Sequence, residues 1–223
     1  MEGNSRRITT NQDGPHEKIP ELIKRYLEHP FKKPVSEHTQ LAFEQVCDWL
    51  DDWATDGSQP LIMDSCCGVG ESTQRLGRLF PDAKVIGLDK SRVRTEKHEK
   101  VFELPENASI WRADVIDFWR LAVNAGWKLT AHYLLYPNPY PKSLQVQRRW
   151  HGSPSFLDIL KLGGRLEVRS NWKTYLEEFA IALDVVNIES ELNELDVTDP
   201  FTAFERKYNA SGQANWQLVA TLS

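Results

Sequence analysis

The stretch Pro60-Leu61-Ile62-Met63-Asp64-Ser65-Cys66-Cys67-Gly68-Val69-Gly70-Glu71-Ser72 decides how this chain is read. Leu61, Ile62 and Met63 form a short apolar run that ends in an acid, the pattern of a buried strand. A glycine turn follows. Residues 71–80 then read as a helix with Leu76, Leu79 and Phe80 on one face. Glycines let the backbone take positive φ and approach a ligand closely. A full GxGxxG is absent and Cys66 stands where a first glycine is usual, so no pyrophosphate cradle is indicated.

The same alternation continues downstream. Residues 84–89 read as a second strand ending in Asp89, 91–102 as a charged helix, and 109–113 as a strand followed by Asp114. Residues 115–125 form the next helix and 131–136 the next strand. Leu162-Gly163-Gly164 turns into a strand at 165–169, and 172–186 is a helix. Strands alternating with helices predict an α/β fold with a Rossmann-like, doubly wound, mainly parallel sheet. The tail, 201–208 and 215–222 around Ser211-Gly212, is expected to add an antiparallel C-terminal strand pair. Upstream, Ser36 looks like the N-cap of a helix running to about residue 54, with Leu41, Phe43, Val46, Trp49, Leu50 and Trp53 at helical spacing. Residues 1–35 are polar and broken by Pro15, Pro20, Pro30 and Pro34. They are expected to be an extended N-terminal arm with a short helix at 21–28, leaving 36–223 as a single domain.

Ligands of such sheets bind outside the carboxyl ends of the strands, at a topological switch point. Asp89 is placed to accept both hydroxyls of a ribose, and Asp114 to accept from an adenine amino group. A glycine turn and two acids at successive strand ends, without a pyrophosphate cradle, fit S-adenosylmethionine as cofactor. Beyond the fourth strand, Tyr136-Pro137-Asn138-Pro139-Tyr140-Pro141-Lys142 is held stiff by its prolines, which fixes where the Asn138 amide points. Tyr136, Tyr140, Trp150 and Trp172 offer stacking surfaces, and Arg148, Arg149 and His151 offer charge for phosphate.

Together these residues resemble the bacterial tRNA (guanine-N7)-methyltransferase family, within the class I S-adenosylmethionine-dependent methyltransferases. The resemblance runs over residues 38–222. Tyr136 to Lys142 with Arg148-Arg149 is similar to the family's F-P-D-P-W-x-K followed by R-R. Leu162-Gly163-Gly164 then Ser170-Asn171-Trp172 is similar to its L-G-G then T-D-W, and Thr202-Ala203-Phe204-Glu205 to its T-x-[FY]-E. The resemblance implies methyl transfer to guanine N7 of tRNA. It implies Asp64, Gly68, Gly70, Asp89 and Asp114 as cofactor-binding, with Cys66, Lys90, Ala113 and Tyr136 flanking them. It implies Asn138 at the catalytic position. Tyr140, Lys142, Arg148, Arg149, Asn171, Trp172, Thr202 and Glu205 would then meet the RNA.

The chain departs from the family at telling places. Asn138 and Asn171 replace two acids, and Leu144, Gln145 and Gln147 thin a basic run. Two other readings follow from this. One is the same fold acting on another RNA base amine, or on a small-molecule amine or heterocycle, because Asn138-Pro139-Tyr140 partly resembles the N-P-P-Y loop of amino-methyltransferases. The other is a cofactor-binding subunit without catalysis.

Composition is that of a globular protein: 223 residues, 40% hydrophobic, 26% charged, net charge -5. The acidic balance at first argues against nucleic acid. Residues 174–205, however, hold nine acids and no Lys or Arg, whereas 140–151 hold three Lys or Arg and no acid. The deficit is local and does not exclude RNA. No apolar run approaches a membrane span and no signal core is seen, so a cytoplasmic protein is expected, as a monomer or homodimer. Three cysteines and six scattered histidines show no metal-ligand spacing, so no metal is expected.

Overall fold

A computed structural model describes residues 4–29, 31–101 and 103–223, with the side chains of 98–101 left aside. Pro30 and Phe102, read above as a chain break and a helix end, lie outside the described residues. The elements are α1 (Ile19–Glu28), α2 (Glu37–Leu50), β1 (Leu61–Ser65), α3 (Glu71–Leu79), β2 (Lys84–Asp89), α4 (Arg92–Val101), β3 (Ala108–Arg112), α5 (Val115–Asn124) and β4 (Ala131–Leu135). After two 3-10 turns, Ser143–Arg148 and Trp150–Gly152, come α6 (Phe156–Leu162), β5 (Gly164–Ser170), α7 (Lys173–Asp184), β6 (Ser190–Leu195), α8 (Ala203–Ala210) and β7 (Asn215–Leu222).

The seven strands form one sheet in the order β3-β2-β1-β4-β5-β7-β6. The first five run parallel, and β7 lies antiparallel between β5 and β6. Strand order reverses between β1 and β4, which makes their carboxyl ends the switch point. Successive side chains point to opposite faces. On β1 Leu61 and Met63 join the core formed with α1, α2, α5, α6 and α7, while Ile62 joins a smaller core with Leu76 of α3. Both faces are therefore covered, which is why these strands read as unbroken apolar runs. Gly87 lets α3 sit close: a Cβ there would fall 2.5 Å from Thr73 Oγ1.

Three expectations are corrected. Residues 203–210 are helical, and the antiparallel partner of β7 is β6, a strand hidden in the acidic stretch. Leu79 and Phe80 do not share the buried face of Leu76; they are 62% and 40% exposed at the helix end, where α3 gives way to the turn before β2. The short N-terminal helix expected at 21–28 is observed as α1, and its Ile19, Leu22, Ile23 and Tyr26 are buried in the main core. Tyr26 Oη donates to Gly152 O at 2.9 Å, tying α1 to the 3-10 turn. Ser36 does precede α2, but its hydroxyl donates to Asp117 Oδ2 (2.9 Å) on α5 instead of capping its own helix.

Candidate active site at the β1/β4 switch point

The turn after β1 is fixed by hydrogen bonds to β2. Cys67 N–H donates to Leu88 O (2.9 Å), and Gly68 N–H to Asp89 Oδ2 (3.0 Å). Gly70 precedes α3 at φ +88°, in the left-handed region. Cys66 sits there too, at φ 65°, although it carries a side chain. Tyr136 (φ 53°) and Tyr140 (φ 44°) repeat this on the far side of the switch point. Strained non-glycine backbone of this kind gathers at functional sites.

These ends enclose a cavity of about 710 Å³, within the range of small-molecule sites. One part of its wall is polar: Asp89, Lys90, Arg94 and Asp114. Asp89 is 4% exposed and accepts from the N–H groups of Gly68 and Ser91 (3.0 and 2.8 Å), with Arg94 Nη1 at 3.6 Å. An ionised carboxylate has about four acceptor sites, so capacity remains for a ligand. Asp114 caps α5 by accepting from Ile116 N–H and is paired with Lys90 Nζ at 2.9 Å. Burial works to raise its pKa but is outweighed by Lys90, which holds the carboxyl below its ordinary range. The other part of the wall carries Tyr136, Asn138, Tyr140, Arg148, Phe204 and Tyr208. Asn138 is exposed, and its Oδ1 accepts from Tyr140 N–H at 3.3 Å.

Of the residues expected at the site, Cys66, Asp89, Lys90, Asp114, Tyr136, Asn138, Tyr140, Arg148 and Trp150 share this cavity. Asp64 lies behind the wall. It is fully buried and accepts from Ser72 and Thr73 hydroxyls at 2.6 and 2.7 Å, and burial raises its pKa to about 6. Gly68, Gly70 and Ala113 shape the turns and do not line the cavity. Burial, reinforced by Asp89 and Asp64, pushes the Cys66 thiol up to about 12, so it is no nucleophile.

The remaining candidates are engaged with the protein itself. Arg149 is fully buried, not offered to phosphate: it pairs with Glu178 at 2.5 Å and donates to Tyr140 O (2.9 Å), Lys142 O (3.2 Å) and Gln12 Oε1 (2.6 Å). Its guanidinium lies over the Trp172 ring. His151 is buried against the same carboxylate at 2.8 Å. Asn171 donates to Gln213 Oε1 (2.9 Å). Thr202 caps α8 by accepting from Glu205 N–H (3.0 Å), and Glu205 accepts back from Phe201 N–H. Glu205 also accepts from Tyr136 Oη (2.7 Å) and Arg169 (3.0 Å). The T-x-x-E spacing is thus a helix-capping signature, a signal legible in the sequence but not used. Lys142 is exposed beside the loop, outside the cavity wall.

Sequence reasoning missed Arg94, Ile116, Ser153, Tyr175, Phe204 and Tyr208 on the wall. Phe204 and Tyr208 carried a signal in their spacing of four, since a helix presents such a pair on one face. Tyr175 had none, because only the packing of α7 brings it there. Among the described residues no group of three His, Cys, Asp or Glu is placed to hold a metal ion, and no helix is long and apolar enough to cross a membrane.

Comparison with known proteins agrees with this geometry. A tRNA (guanine-N(7)-)-methyltransferase of Stutzerimonas stutzeri (strain A1501) is 27% identical over 176 residues, 72% of each chain. A solved antibiotic-related methyltransferase superposes with TM-score 0.57 at 13% identity, covering 85% of this chain and all of the other. A 16S rRNA (adenine(1408)-N(1))-methyltransferase of Catenulisporales acidiphilia, solved with its cosubstrate S-adenosylmethionine, superposes with TM-score 0.54 at 12% identity, over 79% of this chain and 91% of the other. These two likenesses concern the fold. The model of the methyltransferase family Methyltransf_4 matches residues 58–218, which include every cavity-lining residue named above. The chain therefore belongs to that methyltransferase family, as a divergent relative of the tRNA (guanine-N(7)-)-methyltransferases.

Proposed function

We propose that this protein methylates guanine N7 in tRNA with S-adenosylmethionine as donor, acting in the cytoplasm. The observation that carries the reading is the single cavity in which two strand-end carboxylates face one part and the Asn138–Tyr140 loop another. Asp89 suits the ribose hydroxyls and Asp114 the adenine amino group, since each keeps acceptor capacity after its contacts with the chain. When bound, the cofactor supplies an electrophilic methyl group on a cationic sulfur. Tyr136 is held on the acceptor side by its bond to Glu205 and lies 5.5 Å from the Tyr208 ring, giving aromatic faces for a planar base.

Guanine N7 carries a free lone pair, so no general base is required. The chain's tasks are alignment and stabilisation of the charge that forms on the ring. The hydrogen bond from Tyr140 N–H engages one lone pair of Asn138 Oδ1, and the amide N–H2 can donate to substrate. A donor complements guanine O6, which lies beside N7 on the same base edge. An exocyclic amine would instead use the second lone pair of the Asn oxygen, so the two acceptors are separated by nucleoside analysis.

Incubation of the protein with labelled S-adenosylmethionine and bulk tRNA, followed by nucleoside mass spectrometry, tests the assignment. A methylated guanosine with a base-labile glycosidic bond is expected. Label in an exocyclic amino group, or binding of the cofactor without incorporation into RNA, would overturn it.

A further inference from the structure

Between Ser5 and Asn11 the chain crosses the acceptor side of the sheet's carboxyl edge. At one end Ser5 N–H donates to Ser211 Oγ (3.0 Å), and Ser5 O accepts from Gln213 Nε2 (2.9 Å). At the other, Thr10 Oγ1 donates to Pro141 O (2.6 Å), and Asn11 Oδ1 accepts from Ser143 N–H (3.0 Å). The first anchor stands beside Asn171, just past β5, through its bond to Gln213. The second holds the loop that carries Asn138 and Tyr140. Five steps of extended chain reach at most about 18 Å, so the two anchors bracket a narrow mouth.

Arg6 and Arg7 lie within this span, exposed to solvent. Exposed Lys142 and Arg148 flank one anchor. Lys207 flanks the other: its carbonyl accepts from Ser211 Oγ at 2.8 Å. None of these five cations is in an ion pair with a described residue, whereas Arg75, Lys90, Arg92 and Arg206 all are. Three segments far apart in sequence thus bring cations outside these ion pairs to one rim.

We propose that residues 5–11 form a strap that holds the phosphate backbone of RNA beside the target base. Arg6 and Arg7 supply the charge that Leu144, Gln145 and Gln147 do not. The proposal rests on RNA being the substrate. Phosphate contacts of this kind set position and orientation, while the base is read in the cavity.

The test measures binding of bulk tRNA over a salt series for the native chain, an Arg6→Ala/Arg7→Ala double variant and an Arg78→Ala control. Arg78 is exposed at the far end of α3, on the opposite edge of the sheet. Each neutralised phosphate steepens the dependence of log K on log salt by about 0.7–0.9, so the double variant should show a slope shallower by about 1.5. Its affinity at low salt should fall about tenfold or more, with the control unchanged. An unchanged slope in the double variant overturns the strap, whichever nucleoside the native chain makes. A shallower slope with methyl label away from N7 keeps the strap and overturns the acceptor assignment. Failure of the native chain to bind tRNA overturns both.

Discussion

At the scale of single residues, Asn138 decides most. It occupies the centre of the proline-stiffened loop, and an amide can hydrogen-bond to a developing cation but cannot neutralise it. Asn138→Asp should therefore raise kcat for transfer to tRNA by about one to two decades, by comparison with other single groups aimed at transition-state charge. Single-turnover kinetics would check this, and an unchanged or lower rate would count against ring charge as the quantity being stabilised. Asp89 and Asp114 were legible because a strand end is a local feature of sequence. Arg149 and Glu205 were not, since their burial depends on Glu178, Gln12, Tyr136 and Arg169, which lie 29 to 137 positions away. An Arg in a basic loop gives no local sign that its charge is already paired inside.

At the scale of elements, α8 is tied to the sheet through the buried carboxylate of Glu205. Glu205 joins its N-terminus to Tyr136 just past β4 and to Arg169 on β5, and α8 in turn brings Phe204 and Tyr208 to the cavity. Glu205→Gln keeps the shape but removes the charge facing Arg169. It should destabilise the protein by about 1–3 kcal/mol, the usual cost of weakening a buried charged hydrogen bond. Hydrogen exchange should quicken in α8 more than in β1 or β2; uniform acceleration would show that Glu205 serves the whole fold and not this helix. The same helix was misread as a strand, although Phe201, Phe204 and Tyr208 recur at helical spacings of three and four. β6 escaped notice for a different reason. Ser190-Glu191-Leu192-Asn193-Glu194-Leu195 has too few apolar residues to read as a buried strand, because only one of its edges is paired.

At the scale of the whole molecule, buried titratable groups set the response to pH, Asp64, His132, His151 and Glu178 among them. Burial holds Asp64 at about 6 and His132 down to about 3. Burial alone would raise Glu178, but hydrogen bonds from His151, Arg149 and Gln12 outweigh it and hold the carboxyl at about 2. A raised acid contributes less stability as pH rises from about 4 to 6, and a depressed histidine contributes more as pH rises from about 3 to 6.5. The two offset one another between about pH 4.5 and 6. Below about 4.5 the Glu178 contribution is also lost, because the unfolded chain binds a proton that the folded one refuses. Burial also depresses His151, whose contribution is lost as pH falls below about 6.5. Unfolding free energy from urea titrations should thus decline from about pH 6.5, and more steeply below about 4.5, by about 1.4 kcal/mol per pH unit for each uncompensated group. In Asp64→Asn the decline between about pH 6 and 4.5 should steepen; an unaltered profile would remove Asp64 from this account. The acidic stretch that lowers the net charge has a consequence of another kind. Its strand, β6, is one of the two open borders of the sheet, a row of unpaired backbone groups that invites another chain to add a strand. Exposed Glu191 and Glu194 lie along that border, so a second copy laid beside it in register would bring like charges together. Part of the charge deficit that first argued against RNA thus sets this border against edge-to-edge pairing.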